Sequence, residues 1–384
     1  MAPLNSQVRR VTLPTVAVRP SFATVHGPPR ARFARRSPLD RAGLAARRPA
    51  LCRSLCRSLP PVPRMSDKKL IPISLATLEP SDALAWDLYL LPRDSNQYIL
   101  YRASNYPITS SDLEKLVASG ITRLYISREQ RASYQQYLRD NADAWLNNSA
   151  VPLPERMETL NQVVTGSLSE SFRKKEAVER VVGQSSTFGR QTAAFFAAEP
   201  ILFEDLVRVL QHDYTTFAHS ANVCFYSVLL AKHLGFSGDD LAQIATGALL
   251  HDLGKLEIDP RLLVKDNRLT EAETREMQKH PTLGFRRLCR QDDLTAAQLL
   301  MVYQHHERLD GGGYPVGLTN DEIHPWAKLC SVVDVFDALT SDRPYRTAIA
   351  DDIALGIMHR DANTAFDSEM LTCWTRLIST SDAN

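Results

Sequence analysis

The sequence has no uninterrupted apolar run near the roughly 18–20 residues that a membrane-spanning helix requires. Its best candidate, Ala221–Ala231, is short and contains Asn222 and Ser227, so no membrane span is expected. Cysteine is scarce and dispersed. Of Cys52, Cys56, Cys224, Cys289, Cys330 and Cys373, only the first two are neighbours, and no CxxC occurs. A disulfide framework and a thiolate zinc site are excluded on that spacing, and a reducing, cytoplasmic setting is the expectation. Sixteen Gly and 22 Pro in 384 residues are too few for a collagen-like or low-complexity chain. The early apolar stretch Val11–Val18 is broken by Thr12, Pro14 and Thr15, which makes a poor secretory signal. No internal repeat is evident. What remains is an ordinary globular composition, 44% apolar and 23% charged, long enough for two or three domains.

The formal charge of +1 conceals two opposite segments. Residues 1–64 hold thirteen Arg, no Lys and the single acid Asp40, whereas the rest holds 32 basic and 43 acidic residues. An Arg-, Pro- and Ala-rich stretch without helical or strand period reads as a disordered tail. It has the composition of a transit peptide, or of a basic arm for nucleic acid or anionic lipid. The plainer expectation is that translation begins at Met65, where the composition changes. The acidic body has no basic aromatic strip, so nucleic-acid binding is not expected.

Within the body, residues 66–150 read as a small α+β domain without histidine and with scattered acids. Strands are expected at Ala83–Leu91, Tyr98–Arg102 and Ile121–Ile126, and a capped helix at Ser110–Ala118. A regulatory or packing role is the default for this part. Residues 151–199 read as a connector opened by Pro152 and Pro154, with Glu155–Arg180 polar and helical. From residue 200 onward the pattern is helical throughout, with helices expected at 201–211, 239–252, 270–279, 282–290, 294–304, 325–341, 350–359 and 367–379. The helix around His219 is apolar on nearly every face and should be buried. The fold class is mainly α: an all-α bundle over 200–384 preceded by the small α+β domain and the tail.

The chemistry is concentrated in that bundle. His219, His251, His280, His305 and His306 lie among apolar helical segments, with Asp252 beside His251 and Asp334 inside Val332-Val333-Asp334-Val335-Phe336. A buried carboxylate costs several kcal/mol unless it is paired or bound to metal. Neutral imidazoles and carboxylates together suit iron, manganese or zinc. Seven such groups exceed the needs of one ion, so two divalent ions are expected, with Asp252 bridging. One set would be His219, His251, Asp252 and Asp334; the other would be Asp252, His280, His305 and His306. Two ions about 3.5–4 Å apart stabilise attacking and leaving oxygens in phosphoryl chemistry and acidify a bound water. Lys255, three residues after Asp252, is expected on the same side, to hold a phosphate oxygen or the leaving alkoxide.

These residues resemble the HD-GYP family. The resemblance rests on His219-Ser220, His251-Asp252-Leu253-Gly254-Lys255, His280-Pro281 and His305-His306-Glu307-Arg308. It continues through Asp310-Gly311-Gly312-Gly313-Tyr314-Pro315 and Asp334-Val335-Phe336-Asp337 to Arg343-Pro344-Tyr345-Arg346. It implies an HD-type helical domain and a metal-dependent phosphodiesterase in which a metal-activated hydroxide opens cyclic di-GMP to pGpG, with or without further cleavage to GMP. The metals implied are iron or manganese. By position it implies substrate contacts from Arg343, Arg346, Tyr314, Gly313 and Asp337, the last orienting a ligand or a bound water. The Gly313-Tyr314-Pro315 loop would stack a base or contact GGDEF-domain proteins. Some family members hold a third metal with a Glu four residues before the first His; that position is Thr215, with Asp213 the nearest acid, so two metals are expected. The competing readings are an HD phosphohydrolase for another nucleotide such as cyclic GMP-AMP, and a cyclic di-GMP sensor without turnover.

Overall fold

A computed structural model describes residues 70–80, 84–92, 95, 97–149, 151–173, 176–210, 216–342 and 346–379. The tail expected over 1–64, the start at Met65, and the positions Thr215, Asp213 and Arg343 lie outside these residues.

Residues 70–127 carry a four-stranded antiparallel sheet in the order β1-β4-β2-β3. Its strands are β1 (Leu70–Ser74), β2 (Leu88–Leu90), β3 (Ile99–Arg102) and β4 (Arg123–Ser127). β2 and β3 fall inside the expected runs, and β4 overruns the third by one residue, Ser127. β1 was not anticipated, because Pro72 sits at its centre. Proline cannot donate to a ladder, and β1 tolerates it as an edge strand paired only with β4. Helix α1 (Ser110–Ala118) has the expected bounds and starts in a capping box between Thr109 and Asp112.

Three long helices follow: α2 (Arg131–Leu146), α3 (Leu153–Arg173) and α4 (Val178–Ala198). The polar connector expected over 155–180 needs correction. Met157, Leu160, Val164 and Leu168 form a stripe at three- and four-residue intervals and are buried, so α3 is an amphipathic packing helix. A sequence average hides a stripe that narrow.

The helical domain continues with α5 (Phe203–Val209), α6 (Thr216–His233) and α7 (Asp239–Leu250). Beyond them come α8 (Pro260–Leu263), α9 (Glu271–Met277), α10 (His280–Leu288) and α11 (Ala296–Gln304). The last three are α12 (Pro325–Thr340), α13 (Asp351–Arg360) and α14 (Ser368–Ser379). All eight helices expected beyond residue 200 are present, each end within two residues of its expected position. α6 is buried from Ala218 through Ala231, as its all-round apolarity requires. It packs on α7, which in turn lies along α4, and α12 crosses α6 on another side. Behind the α6–α12 contact, Phe203, Tyr226, Phe336 and Trp374 pack edge to face or offset, with ring centroids 5.2–5.9 Å apart. Each such contact adds about 0.5–1.5 kcal/mol beyond area burial, which stiffens the scaffold between His219 on α6 and Asp334 on α12. Among the described residues, no helix is long and apolar enough to cross a membrane.

Candidate metal centre

The seven histidines and aspartates come from five helices and converge at one end of the bundle. His219 lies in the first turn of α6, His251 and Asp252 follow α7, and His280 opens α10. His305 and His306 close α11, and Asp334 occupies the middle of α12. Helix ends suit this purpose, since a side chain there can turn inward without interrupting a helical ladder.

Asp252 is the hub. Its Oδ2 lies 3.5 Å from Nε2 of both His219 and His251, while its Oδ1 lies 3.3 Å from His280 Nε2 and 3.9 Å from His305 Nε2. Asp334 faces the same space: Oδ1 is 3.0 Å from His219 Nε2 and 4.0 Å from His251 Nε2, and Oδ2 is 3.9 Å from His306 Nδ1. Lys255, in the 3₁₀ turn Leu253–Glu257, places Nζ 2.5 Å from Asp252 Oδ2, as the three-residue spacing predicts.

The backbone fixes the tautomers. His251, His280 and His305 each donate Nδ1–H to the carbonyl three residues earlier, Ala248 at 2.6 Å, Met277 at 2.9 Å and Val302 at 2.8 Å. His219 donates Nδ1–H to Asp337 Oδ2 at 2.7 Å. The Nε2 of His251, His280 and His305 is thereby left as a lone pair aimed inward, the arrangement that ligating histidines require, while His219 Nε2 lies 3.0 Å from Asp334 Oδ1. Two observations test whether cations fit this space. His251 Nε2 is buried with no hydrogen-bond partner. His280 Nε2 and His305 Nε2 face one another at 3.2 Å, an unfavourable meeting of lone pairs unless a cation or proton serves both. The donor set fits a divalent metal: His280, His305 and His306 form one group able to hold it, His219, His251 and Asp252 another, and His251, His305 and Asp334 a third that draws on both halves.

Electrostatics agrees with ligand readiness. Burial pushes His280 down to about 3 and His306 to about 4, and it also lowers His251 and His305. These imidazoles are neutral at pH 7. Burial alone would raise Asp252, but Lys255 and the surrounding histidines outweigh it and hold the carboxyl well below its usual range. Asp334 is likewise held low against burial, chiefly by His219, whose Nε2 lies 3.0 Å from Oδ1. A pH dependence follows for metal-free protein. The unfolded chain protonates these histidines near 6.5, whereas folded His280 and His306 accept protons only near 3 and 4. Their contribution is complete above about pH 6.5 and is lost as pH falls toward 4. The Tm of chelator-treated protein should therefore drop by more than about 5 °C between pH 7.5 and 5.5. A flat Tm across that interval would contradict this burial.

The substrate contacts expected from the resemblance fare differently. Asp337 is 1% exposed, with one oxygen bonded to His219 and the other accepting from Asn222 Nδ2 at 2.8 Å. Of its two expected roles, orienting a ligand is the one these bonds support; direct substrate contact is not. Arg346 has partners within the chain. Its guanidinium donates to the carbonyls of Ala338 and Leu339, so it closes the C-terminal end of α12. Gly313 packs against the chain itself, since a Cβ there would sit 2.5 Å from Glu307 Cα. Tyr314 lies over the cluster, its ring 4.7 Å from that of His306 at an interplanar angle of 29°.

Asn222 and Glu307 had no assigned part in the sequence reading. Asn222 stands three residues after His219 on an otherwise apolar helix, a signal that could have been read. Glu307 directly follows the His pair, yet the partners of its carboxylate lie nine to eleven residues onward and leave no periodic trace.

Comparison with known proteins places this geometry. A family model described as an HD domain matches residues 200–370. The chain is 41% identical over 155 residues to 3′3′-cGAMP-specific phosphodiesterase 3 of Vibrio cholerae, covering 40% of this chain and 33% of that protein. It is 31% identical over 252 residues to cyclic di-GMP phosphodiesterase PA4108 of Pseudomonas aeruginosa, covering 62% and 60% of the two chains. It is 30% identical over 278 residues to the cyclic di-GMP phosphodiesterase response regulator RpfG of Xanthomonas campestris, covering 72% and 65%. The chain thus spans between one third and about two thirds of the length of these relatives. In fold, it resembles the solved HDG"Y"P protein Bd1817 of Bdellovibrio bacteriovorus, with a TM-score of 0.55 at 20% identity, over 81% of this chain and 99% of that one.

Proposed function

Residues 200–370 form an HD domain of the HD-GYP family, and on that premise we propose that the protein is a metal-dependent phosphodiesterase for cyclic dinucleotides, cyclic di-GMP foremost. The observation that carries this reading is Asp252, which turns one carboxylate oxygen toward His219 and His251 and the other toward His280 and His305. His219, His251, Asp252 and Asp334 would hold one ion, and Asp252, His280, His305 and His306 a second, with iron or manganese matching the nitrogen and oxygen donors. Such ions supply charge stabilisation and an acidified water to phosphoryl transfer.

The chain's own residues do the rest. Asp337, itself held by Asn222, fixes His219 so that Nε2 faces Asp252 and Asp334. Lys255 is set to bind a non-bridging phosphate oxygen or neutralise the leaving 3′-oxygen, leaving the linear product pGpG. Tyr314, whose phenol burial pushes up, remains a hydrogen-bond donor at neutral pH and offers a ring for stacking a guanine. Arg343 is proposed as a cationic base or phosphate contact. The Gly313-Tyr314-Pro315 loop, with exposed Val316 next to it, is the proposed surface for GGDEF-domain proteins, and the cytoplasm the proposed location.

Replacing Lys255 by alanine should leave the metal content unchanged and lower kcat by about 10²-fold, the usual magnitude for one lost transition-state donor. An unchanged kcat would remove Lys255 from the chemistry. A second reading, 3′3′-cGAMP as substrate, is favoured by the 41% identity to the Vibrio cholerae enzyme. Anaerobically purified protein supplied with Fe(II) or Mn(II) and either dinucleotide distinguishes these readings by chromatography of the products. Linear pGpG, abolished by chelator, is the expected result. Tight binding without products would instead make the protein a sensor.

A further inference from the structure

Glu307 is 3% exposed, and its carboxylate lies inside a curl of three successive backbone amides. Oε1 accepts from Val316 N–H at 2.8 Å and Gly317 N–H at 3.2 Å, and Oε2 from Gly317 N–H at 3.0 Å and Leu318 N–H at 3.0 Å. Consecutive amides converging on one anion make a nest, and Gly317, at φ +81°, supplies the left-handed residue that turns them inward. The other end of the same loop is tied to the same turn: Tyr314 N–H donates to His306 carbonyl at 3.1 Å. The loop is therefore fastened on both sides of Tyr314 to the segment bearing His305 and His306. Charge-assisted bonds of this type are roughly twice as strong as neutral ones.

We infer that Glu307 is a positioning residue, which holds the 311–318 loop so that the Tyr314 ring roofs the His306 side of the centre and receives a base of the dinucleotide. The inference rests on the proposed dinucleotide phosphodiesterase reading. It adds a route by which a buried carboxylate, itself out of reach of substrate, sets substrate affinity through a neighbouring aromatic ring.

The test is a double-mutant cycle on the full chain, with amide exchange as a second readout. Glu307→Gln keeps the side-chain size but turns an N–H donor toward one part of the nest. It should raise KM by about tenfold, more than it lowers kcat, and leave metal content at the wild-type value. Exchange at the amides of Val316, Gly317 and Leu318 should accelerate. Tyr314→Ala should raise KM to a similar extent. In that background Glu307→Gln should change KM by less than about twofold, because coupled residues do not add. Gly317→Ala, which opens the nest from the amide side, should reproduce the KM shift if Glu307→Gln does not fold. Fully additive KM effects, or protected amides with unchanged KM, would overturn the inference. If wild-type protein turns over no cyclic dinucleotide while amide exchange still responds to Glu307→Gln, the functional reading fails and the anchoring does not.

Discussion

Asp252→Ala is expected to empty both halves of the centre at once, leaving well under one equivalent of metal per chain. The reason is geometric: each carboxylate oxygen faces a different pair of Nε2 atoms, so no other residue replaces it for either pair. Hydrolysis should fall by at least about 10³-fold, since both the stabilising charge and the acidified water depend on the ions. Asp252→Asn separates loss of the bridge from loss of volume, because the amide has nearly the same shape but only one acceptor oxygen and no charge. It should also bind less than one equivalent. A full equivalent retained by either variant would mean that Asp252 serves one ion or none. Lys255 would then be the explanation of its burial, through the 2.5 Å contact to Oδ2.

The second large effect concerns a glycine. A Cβ on Gly254 would lie 1.9 Å from the carbonyl oxygen of His280 and 2.6 Å from the amide nitrogen of Gly284. Both obstacles are backbone, so no rotamer change relieves them. Accommodating a methyl group requires the 3₁₀ turn after Asp252 and the start of α10 to separate. Overpacking in a dense core costs about 1–3 kcal/mol and more where nothing can move aside. At about 3 kcal/mol, and about 2–4 °C per kcal/mol for a domain of roughly 150–250 residues, Gly254→Ala should therefore lower Tm by roughly 6–12 °C. It should also weaken metal binding, since separation draws His280 away from Asp252 Oδ1. Thermal melts and metal content of the same sample check both parts. An unchanged Tm would show that the two segments are less tightly packed than these distances imply.

Whereas His280, flanked by polar residues, was legible only through its place in the motif series, most of the seven converging side chains were legible in the sequence as polar groups abutting an apolar helical run. Such a group has to answer for its own burial, and that demand can be read without coordinates. Helix existence was legible for the same reason, since the 3.6-residue period is dense beyond residue 200. What escaped is directional and long-range. Asp337 lies three residues after Asp334 and invites a ligand or water role, but its bond to His219 spans 118 residues and has no local signature. The bonds from Arg346 to the carbonyls ending α12 depend on how the chain returns after the helix, which its charge alone does not announce. Glu307 sits in plain view after the two histidines, and only the folded loop brings three amides to it. β1 was missed for a different reason: strand propensity argues against Pro72, and edge position, which forgives it, is a property of the sheet rather than of the segment.

The central claim is that one carboxylate divides five imidazoles and a second carboxylate into two metal sites. Anomalous diffraction from crystals grown anaerobically with Mn(II) tests it most directly. Two peaks about 3.5–4 Å apart, one beside His219, His251 and Asp334 and one beside His280, His305 and His306, with Asp252 between them, are the predicted result. A single peak, or a pair that Asp252 does not bridge, would contradict it.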